Sequence, residues 1–207
     1  NPIAAYGGAD AEGIEAGLDR IPGELRRRDR AVTAGDFQEL ALAQPQRTAV
    51  EVGCGEGELC QRMHRAGFDV RGFDIADEAI AEANRRAAAA GLRIPFAQAS
   101  LDDLAAQRVR APLLVCCEVL EHLPDPERCL GQLIEMADPW LLVSVPREPV
   151  WRMLNLCRGR YLRDLGNTPG HVNHWSARAF IRLLRARTTV VAVRRPLPWT
   201  MALCRVR

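Results

Sequence analysis

The chain has 207 residues, 48% of them apolar, and a formal net charge of +2 at pH 7. This length and composition predict one domain with a sizeable core and an added segment. The near-balanced charge does not favour a nucleic-acid partner, and no apolar run reaches the roughly 18 residues that a membrane span needs.

Residues 1–46 are predicted to form an N-terminal helical segment ahead of the main domain. Pro22 suits the first turn of a helix, and residues 24–43 follow as a helical stretch. This stretch carries an arginine cluster: Arg26, Arg27, Arg28 and Arg30. The cluster is interpreted either as an exposed polar face or as part of a lid over a bound cofactor.

A glycine-rich turn follows the first predicted strand, and the rest of the chain is organised around it. Ala49, Val50 and Val52 suit a buried strand. The turn then has glycine at alternate positions: Gly53, Gly55 and Gly57. Such a turn lets the backbone approach a ligand and directs helix N–H groups towards it.

The acidic residues of this turn indicate which ligand it binds. A dinucleotide-binding turn would have glycine where this chain has Glu58. Glu51 and Glu56 add further negative charge, which would repel a pyrophosphate. A ligand with an adenosine and a positive charge is favoured instead, and S-adenosylmethionine has both.

The second predicted strand, residues 70–74, ends at Asp74. This aspartate lies 21 residues after Gly53, where an acid can accept both hydroxyls of a ribose. A helix over residues 77–90 follows, with Asp77 as its expected N-cap, which leaves Asp74 available for the ligand.

Strand three is predicted over residues 93–97, followed by a turn over 98–103, and strand four over residues 113–117. The sequence E-x-x-E-H comes directly after strand four, where ligands of open α/β sheets bind. In a helical turn, Glu118, Glu121 and His122 would converge. They could then form an acid–base cluster or bind a divalent cation.

Strand five is predicted over residues 140–145, and an amphipathic insertion over 147–165 follows it. The insertion is expected to cover a substrate pocket, with a membrane or a protein partner as alternatives. Ser176 suits the N-cap of a helix over residues 177–185. Two further strands, 188–193 and 199–206, close the chain as an antiparallel pair.

On these residues the chain resembles the class I S-adenosylmethionine-dependent methyltransferases. The segments VEVGCGEGEL, VRGFDIADEAI and CCEVLEHLPDPERCL carry the resemblance. It implies an α/β fold: a Rossmann-like, seven-stranded, mostly parallel sheet with an antiparallel last strand, helices on both faces and an N-terminal helical lid. The lid is residues 1–46, and the cofactor-binding domain is 47–207, with a substrate-covering insertion at 147–175.

The resemblance also implies a set of S-adenosylmethionine-binding residues. They are Glu51, Gly53, Cys54, Gly55, Gly57, Asp74, Ile75, Ser100, Leu101 and Cys117. Ile75 would lie against the adenine. Relatives often have aspartate where this chain has Ser100, so the partner of the adenine amino group stays open.

The segment HVNHWS resembles one in the ubiquinone-biosynthesis O-methyltransferases, and the small-RNA 2′-O-methyltransferases have a related element. Both groups carry E-x-x-E-H. The resemblance implies a divalent metal held by Glu118, Glu121, His122 and His174. Other small-molecule methyltransferases share the motif without a metal. In that case His122, His171, His174 and Glu118 are the catalytic candidates, with His171 or His174 as the base.

The expected function is methyl transfer from S-adenosylmethionine to a small-molecule substrate, at a hydroxyl in secondary or cofactor metabolism. The alternatives are a metal-assisted RNA 2′-O-methyltransferase and a catalytically silent cofactor-binding subunit. The seven cysteines are odd in number and lack a C-x-x-C pair, so reduced thiols and a cytoplasmic location are expected.

Overall fold

The computed structural model describes residues 47–206. The predicted N-terminal lid, residues 1–46 with its arginine cluster, lies outside the described residues. Among the helices of the described part, none combines the length and apolarity needed to cross a membrane.

Seven strands form one sheet in the order β3-β2-β1-β4-β5-β7-β6. They are β1 (Thr48–Val52), β2 (Asp69–Asp74), β3 (Phe96–Gln98), β4 (Ala111–Cys117), β5 (Ala137–Pro146), β6 (Thr189–Arg194) and β7 (Trp199–Arg205). The first five strands are parallel, and β7 runs antiparallel to both β5 and β6. The predicted sheet is therefore confirmed.

Within residues 47–206, six α-helices connect the strands. They are α1 (Glu58–Arg65), α2 (Asp77–Ala89), α3 (Leu101–Ala106), α4 (Pro126–Met136), α5 (Val150–Cys157) and α6 (Ala177–Arg185). Short 3-10 turns occur at Leu120–His122 and Leu162–Asp164. The sequence predicted only a turn over residues 98–103, whereas α3 begins there.

The hydrophobic core lies on both faces of the sheet, as the side chains of β4 illustrate. Leu113 and Val115 pack into the cluster under α1 and α2, whereas Leu114 and Cys116 pack into the cluster under α4 and α6. Side chains of a strand alternate between faces, so a strand covered on both sides is apolar at every position. Helices on both faces are thus confirmed.

Local signals explain most element boundaries. Ser176 caps α6 by accepting a hydrogen bond from the Ala179 N–H at 3.2 Å, as predicted. Strand β3 is shorter than predicted because Pro95, which precedes it, has no N–H to donate to the sheet.

The predicted N-cap of α2 is wrong. Ala76 occupies the cap position, and Asp77 is already the first helical residue. The Asp74 carboxylate accepts the Ala76 N–H at 2.9 Å, which is the local bond that aspartate makes to the backbone two residues further along. The acid at the strand end therefore orders the start of the helix.

Parallel pairing brings the carboxyl ends of three strands to one edge. Val52 pairs with Phe73, and Glu51 pairs with Val115. The residues that follow, Gly53, Asp74 and Glu118, therefore lie along the same edge of the sheet. This is where ligands bind in open α/β sheets.

Candidate active site

A cavity of about 650 Å³ opens at this edge of the sheet. Nine of the ten predicted cofactor residues line it: Glu51, Gly53, Cys54, Gly55, Asp74, Ile75, Ser100, Leu101 and Cys117. The exception, Gly57, has a φ of +75°, and a Cβ there would lie 2.6 Å from the Phe96 ring. Close packing against strand β3 therefore accounts for that glycine.

The glycine turn is fixed from two sides. The N–H groups of Gly53 and Cys54 donate to the Phe73 carbonyl at 2.7 and 3.0 Å. Gly53 has a φ of +76°, and a Cβ at this position would collide with the Val119 side chain. The turn before α1 and the turn after β4 are thus in direct contact.

The Asp74 carboxylate is held by backbone donors on both oxygens. Gly55 N–H donates to Oδ2 at 2.7 Å, and Ala76 N–H donates to Oδ1 at 2.9 Å. The expectation that Asp74 is left without protein partners is wrong. Each carboxylate oxygen has a second lone pair, so the fixed side chain can still accept ligand hydroxyls.

Glu51 lies at the floor of the cavity and is only 3% exposed. Its Oε2 accepts a hydrogen bond from the Cys60 thiol at 2.9 Å. Burial and the neighbouring Glu51 charge raise the pKa of Cys60, so its thiol stays protonated and remains a donor. Sequence reasoning missed Cys60. It lies in the first turn of α1, on the side of the helix that faces the sheet.

Ser100 caps α3 rather than presenting a free hydroxyl. Its Oγ donates to Asp103 Oδ2 at 2.6 Å and accepts the Asp103 N–H at 3.1 Å. Asp102 also lines the cavity, and it accepts two hydrogen bonds from the Arg128 guanidinium at 2.9 and 3.1 Å. Gln132 donates to the same carboxylate at 2.7 Å. Sequence reasoning missed these hydrogen bonds from Arg128 and Gln132 to Asp102, which join α3 to α4 at the rim of the cavity.

The segment after β4 does not form the predicted helical turn. Glu118 has a φ of +59°, in the left-handed region, and its N–H donates to the Ser144 carbonyl at 3.0 Å. Only Leu120–His122 is helical, as one 3-10 turn. Glu118 lines the cavity, but helical spacing does not bring it beside Glu121.

Glu121, His122 and His171 form a cluster at the cavity wall. Their ligand atoms all lie within 4.8 Å of one another. Glu121 is 1% exposed, and neither of its carboxylate oxygens accepts a hydrogen bond from another residue in the described range. Burial, with a smaller contribution from Glu118, raises the pKa of Glu121 to about 8. Burial and the nearby His122 and His174 lower the pKa of His171 to about 4.

Hydrogen bonds join the loop at residues 170–173 to the 3-10 turn. The Val172 and Asn173 N–H groups both donate to the Glu121 carbonyl, at 2.9 and 3.0 Å. The Asn173 side-chain amide donates to the carbonyls of Leu120 and Leu123 at 3.2 and 2.6 Å. Sequence reasoning missed Asn173, which fixes His171 beside the turn.

His122 has a defined tautomer. Its Nδ1 lies 3.0 Å from the Gly170 carbonyl, which can only accept, so in the neutral imidazole Nδ1 carries the proton and Nε2 has the lone pair. The ring of His171 meets that of His122 edge to face at 4.7 Å. Trp151 stacks on the His171 ring, with the ring centroids 5.9 Å apart.

His174 lies outside this cluster and does not line the cavity. Its Nε2 is 2.7 Å from Asn167 Oδ1 and 3.3 Å from an Arg152 nitrogen. The structure therefore brings together Glu121 and His122 of the predicted metal set, adds His171, and leaves Glu118 and His174 apart.

The donor set of this cluster fits a divalent metal. Two imidazoles and one carboxylate are ordinary ligands of Zn²⁺ and Mn²⁺. A buried carboxylate normally has a partner, and Glu121 has no such donor from another described residue. The Gly170 carbonyl on His122 Nδ1 matches the outer partner that ligating histidines commonly have.

A family model described as "Methyltransferase domain" matches residues 25–188, more than half of the chain. The chain belongs to this methyltransferase-domain family. The predicted methyltransferase class is confirmed at this level.

Curated relatives are named ubiquinone biosynthesis O-methyltransferases. The protein of Bordetella avium is 31% identical over 52% of this chain, and that of Cronobacter sakazakii is 29% identical over 59%. The matched regions cover 46% and 63% of those two proteins, which is less than two thirds of the length of either.

A solved structure shares the fold at low sequence identity. It is the magnesium protoporphyrin IX methyltransferase of Synechocystis with bound SAH, with a TM-score of 0.64 and 20% identity, covering 98% of this chain and 91% of that one. The comparison confirms the Rossmann-like fold.

Proposed function

We propose that this protein transfers a methyl group from S-adenosylmethionine to a hydroxyl of a small-molecule acceptor. One observation carries the proposal: a single cavity joins the acid-flanked glycine turn and Asp74 to the lone pair of His122. The names of the curated relatives support oxygen as the acceptor atom.

In this proposal the cofactor spans the cavity along the strand ends. Asp74 accepts hydrogen bonds from the ribose hydroxyls, and Glu51 at the cavity floor attracts the ammonium group. Ile75 is 71% exposed in the structure and would be covered by the adenine. Asp102 on the rim is proposed as the acceptor for the adenine amino group, through Oδ2, which accepts one of its three hydrogen bonds.

The reaction is an in-line displacement at the methyl carbon. A bond forms between the acceptor oxygen and the methyl carbon while the bond from sulfur to that carbon breaks, leaving S-adenosylhomocysteine. The hydroxyl proton passes to a base, and His122 Nε2 is the best-placed lone pair. The rest of the catalysis is alignment of the two reactants.

In the alternative version, a divalent cation would occupy the same site, held by Glu121, His122 and His171, and His122 Nε2 would be a ligand instead of the base. The cation would polarise the acceptor hydroxyl and lower the pKa of that group. The insertion at residues 147–175 is proposed to cover the acceptor, since Trp151 of α5 stacks directly on His171.

Transfer of a labelled methyl group tests the proposal. Purified protein would be incubated with labelled S-adenosylmethionine and a panel of phenols, catechols, amines and carbon acids. Labelled ether products from hydroxyl acceptors are expected. Labelling confined to amine or carbon acceptors would contradict the oxygen assignment, and cofactor binding without transfer to any acceptor would favour a silent subunit.

A further inference from the structure

Cys60 is a buried thiol of α1 that lies directly behind the floor of the cavity. Its side chain is fully buried, and its Sγ lies 2.9 Å from Oε2 of Glu51. Met63, three residues further along α1, is buried in the same cluster between this helix and the sheet. The inward side of the helix therefore directs the thiol at the strand that carries Glu51.

The neighbouring strand leaves room for this thiol. Gly72 of β2 pairs with Glu51 of β1. A Cβ at Gly72 would lie 2.9 Å from the Cys60 sulfur and 2.6 Å from the Phe96 ring. Gly72 is not among the glycines with a positive φ, so space and not backbone conformation accounts for glycine at this position. The sulfur and the ring fill the place of the missing side chain, which keeps the thiol beside the Glu51 carboxylate.

The thiol acts as a hydrogen-bond donor to this carboxylate. Burial and the neighbouring Glu51 charge raise the pKa of Cys60, so the S–H group keeps its proton at neutral pH. A carboxylate that is withdrawn from water needs donors if it is to stay charged. A donor on Oε2 fixes the orientation of the Glu51 carboxylate, and the remaining lone pairs of that carboxylate can still accept hydrogen bonds from a ligand.

The position of Glu51 in the cavity connects Cys60 to the cofactor. Glu51 lines the cavity together with Gly53 and Cys117, whereas Cys60 is not among the described residues that line it. Cys60 can therefore act on a bound ligand only through its neighbours. A charge-assisted hydrogen bond between a carboxylate and an ammonium group depends on the angle at which the two groups meet. The donor that orients Glu51 thus affects how well an ammonium group is bound.

We propose that Cys60 is a positioning residue for cofactor recognition: its thiol holds the Glu51 carboxylate in the orientation that binds the ammonium group of S-adenosylmethionine. This inference rests on the proposed function, which assigns that ammonium group to Glu51. It adds a residue that no ligand touches to the determinants of cofactor affinity. It also predicts that the thiol affects recognition of the amino-acid part of the cofactor and leaves recognition of the adenosine part unchanged.

Calorimetry of the full chain with two ligands tests the proposal. S-adenosylhomocysteine has the ammonium group, and its desamino analogue keeps the adenosine and the carboxylate but lacks that group. The parent protein should bind S-adenosylhomocysteine about tenfold or more tightly than the analogue, as expected for a hydrogen bond between charged groups. In Cys60→Ala this preference should fall to about threefold or less, because Glu51 loses the donor that orients it. The affinity for the desamino analogue should stay as in the parent.

Two further variants separate positioning from packing. Cys60→Ser keeps a donor on a side chain of similar size, so it should retain the parent's preference for S-adenosylhomocysteine to within about twofold. Cys204→Ala removes another fully buried thiol, on β7 and outside the residues that line the cavity, and it should leave both affinities unchanged. Circular dichroism would show that each variant is folded.

The infrared S–H stretching band gives a second measurement, made on the parent protein itself. Binding of S-adenosylhomocysteine should shift the band of the Cys60 thiol, because the ammonium group draws charge from the carboxylate that accepts its hydrogen bond. The desamino analogue should leave the band in place. The shifted band should be missing in Cys60→Ser, which identifies it as that of Cys60.

Three outcomes would overturn the inference while leaving the proposed function intact. The first is a Cys60→Ala variant with the parent's preference for S-adenosylhomocysteine. The second is an equal loss of affinity for both ligands in Cys60→Ala, since the thiol would then serve packing alone. The third is an S–H band that does not respond to S-adenosylhomocysteine. Failure of the parent to bind S-adenosylhomocysteine at all would instead contradict the proposed function, and this inference with it.

Discussion

Asp74 is the residue at which the cofactor assignment is most directly tested. Asp74→Ala removes a carboxylate held by two backbone N–H groups and aimed into the cavity. The affinity for S-adenosylmethionine should fall by about 1.5–3 kcal/mol, measured by calorimetry. Asp77→Ala, in the exposed first turn of α2, is the control and should bind normally. Tighter binding of NAD than of S-adenosylmethionine by the parent would contradict the assignment.

His122 should govern turnover but not cofactor binding. His122→Ala removes the lone pair proposed as the base, so kcat should drop by about 10²–10⁴-fold with little change in cofactor affinity. His174→Ala is the matched control because that ring lies outside the cavity. A larger loss of kcat in His174→Ala than in His122→Ala would assign the general base to His174 instead of His122.

Metal binding distinguishes two ligand sets. If Glu121, His122 and His171 hold a cation, the protein should bind Mn²⁺ or Zn²⁺ in calorimetry without any substrate. His171→Ala should abolish this binding, and His174→Ala should leave it intact. Loss of metal binding in His174→Ala but not in His171→Ala would support the ligand set that the family resemblance implies, which includes His174. Absence of metal binding in the parent protein would favour the metal-free mechanism.

At the scale of elements, the contact between the 3-10 turn and residues 170–173 should be costly to break. Asn173→Ala removes the side-chain donor to the Leu120 and Leu123 carbonyls, so the free energy of unfolding should fall by about 1–3 kcal/mol in urea titrations. Asn84→Ala, which removes one hydrogen bond to Ile80 on α2, should cost less. Equal losses of unfolding free energy in the two variants would show that this contact stabilises the fold no more than a single hydrogen bond within a helix does.

The elements were largely predictable because their signals are local. The apolar run of β4 and the serine before α6 each act within a few residues of the chain. The Glu118 conformation was not predictable in this way. Spacing favoured a helical turn, but the contact of Val119 with Gly53 and the bond to Ser144 come from distant parts of the chain.

The same distinction applies to the candidate site. Alternating glycines and an acid about 20 residues later identify a cofactor edge directly, because ligand and backbone impose that spacing. Choosing His171 over His174 needed the path of the insertion, which Asn173 fixes through long-range hydrogen bonds. Pairings such as Asp102 with Arg128 likewise depend on how α3 and α4 pack.

At the scale of the whole molecule, the cysteines should all be thiols. None of the seven forms a disulfide in the structure, and Cys157 is the exposed one. A thiol reagent should modify one cysteine rapidly in the native protein and seven after denaturation without reductant. Fewer than seven in freshly prepared protein would contradict the predicted reducing environment.

The contact between Gly53 and Val119 has a consequence for directed evolution. Libraries that aim to change the acceptor would naturally vary the residues after β4, and libraries that aim to accept cofactor analogues would vary the glycine turn. Because the two turns touch, a larger side chain at position 119 would push on the backbone that we propose holds the adenosine. Beneficial substitutions from two such campaigns should therefore combine poorly, and the two turns are best randomised together.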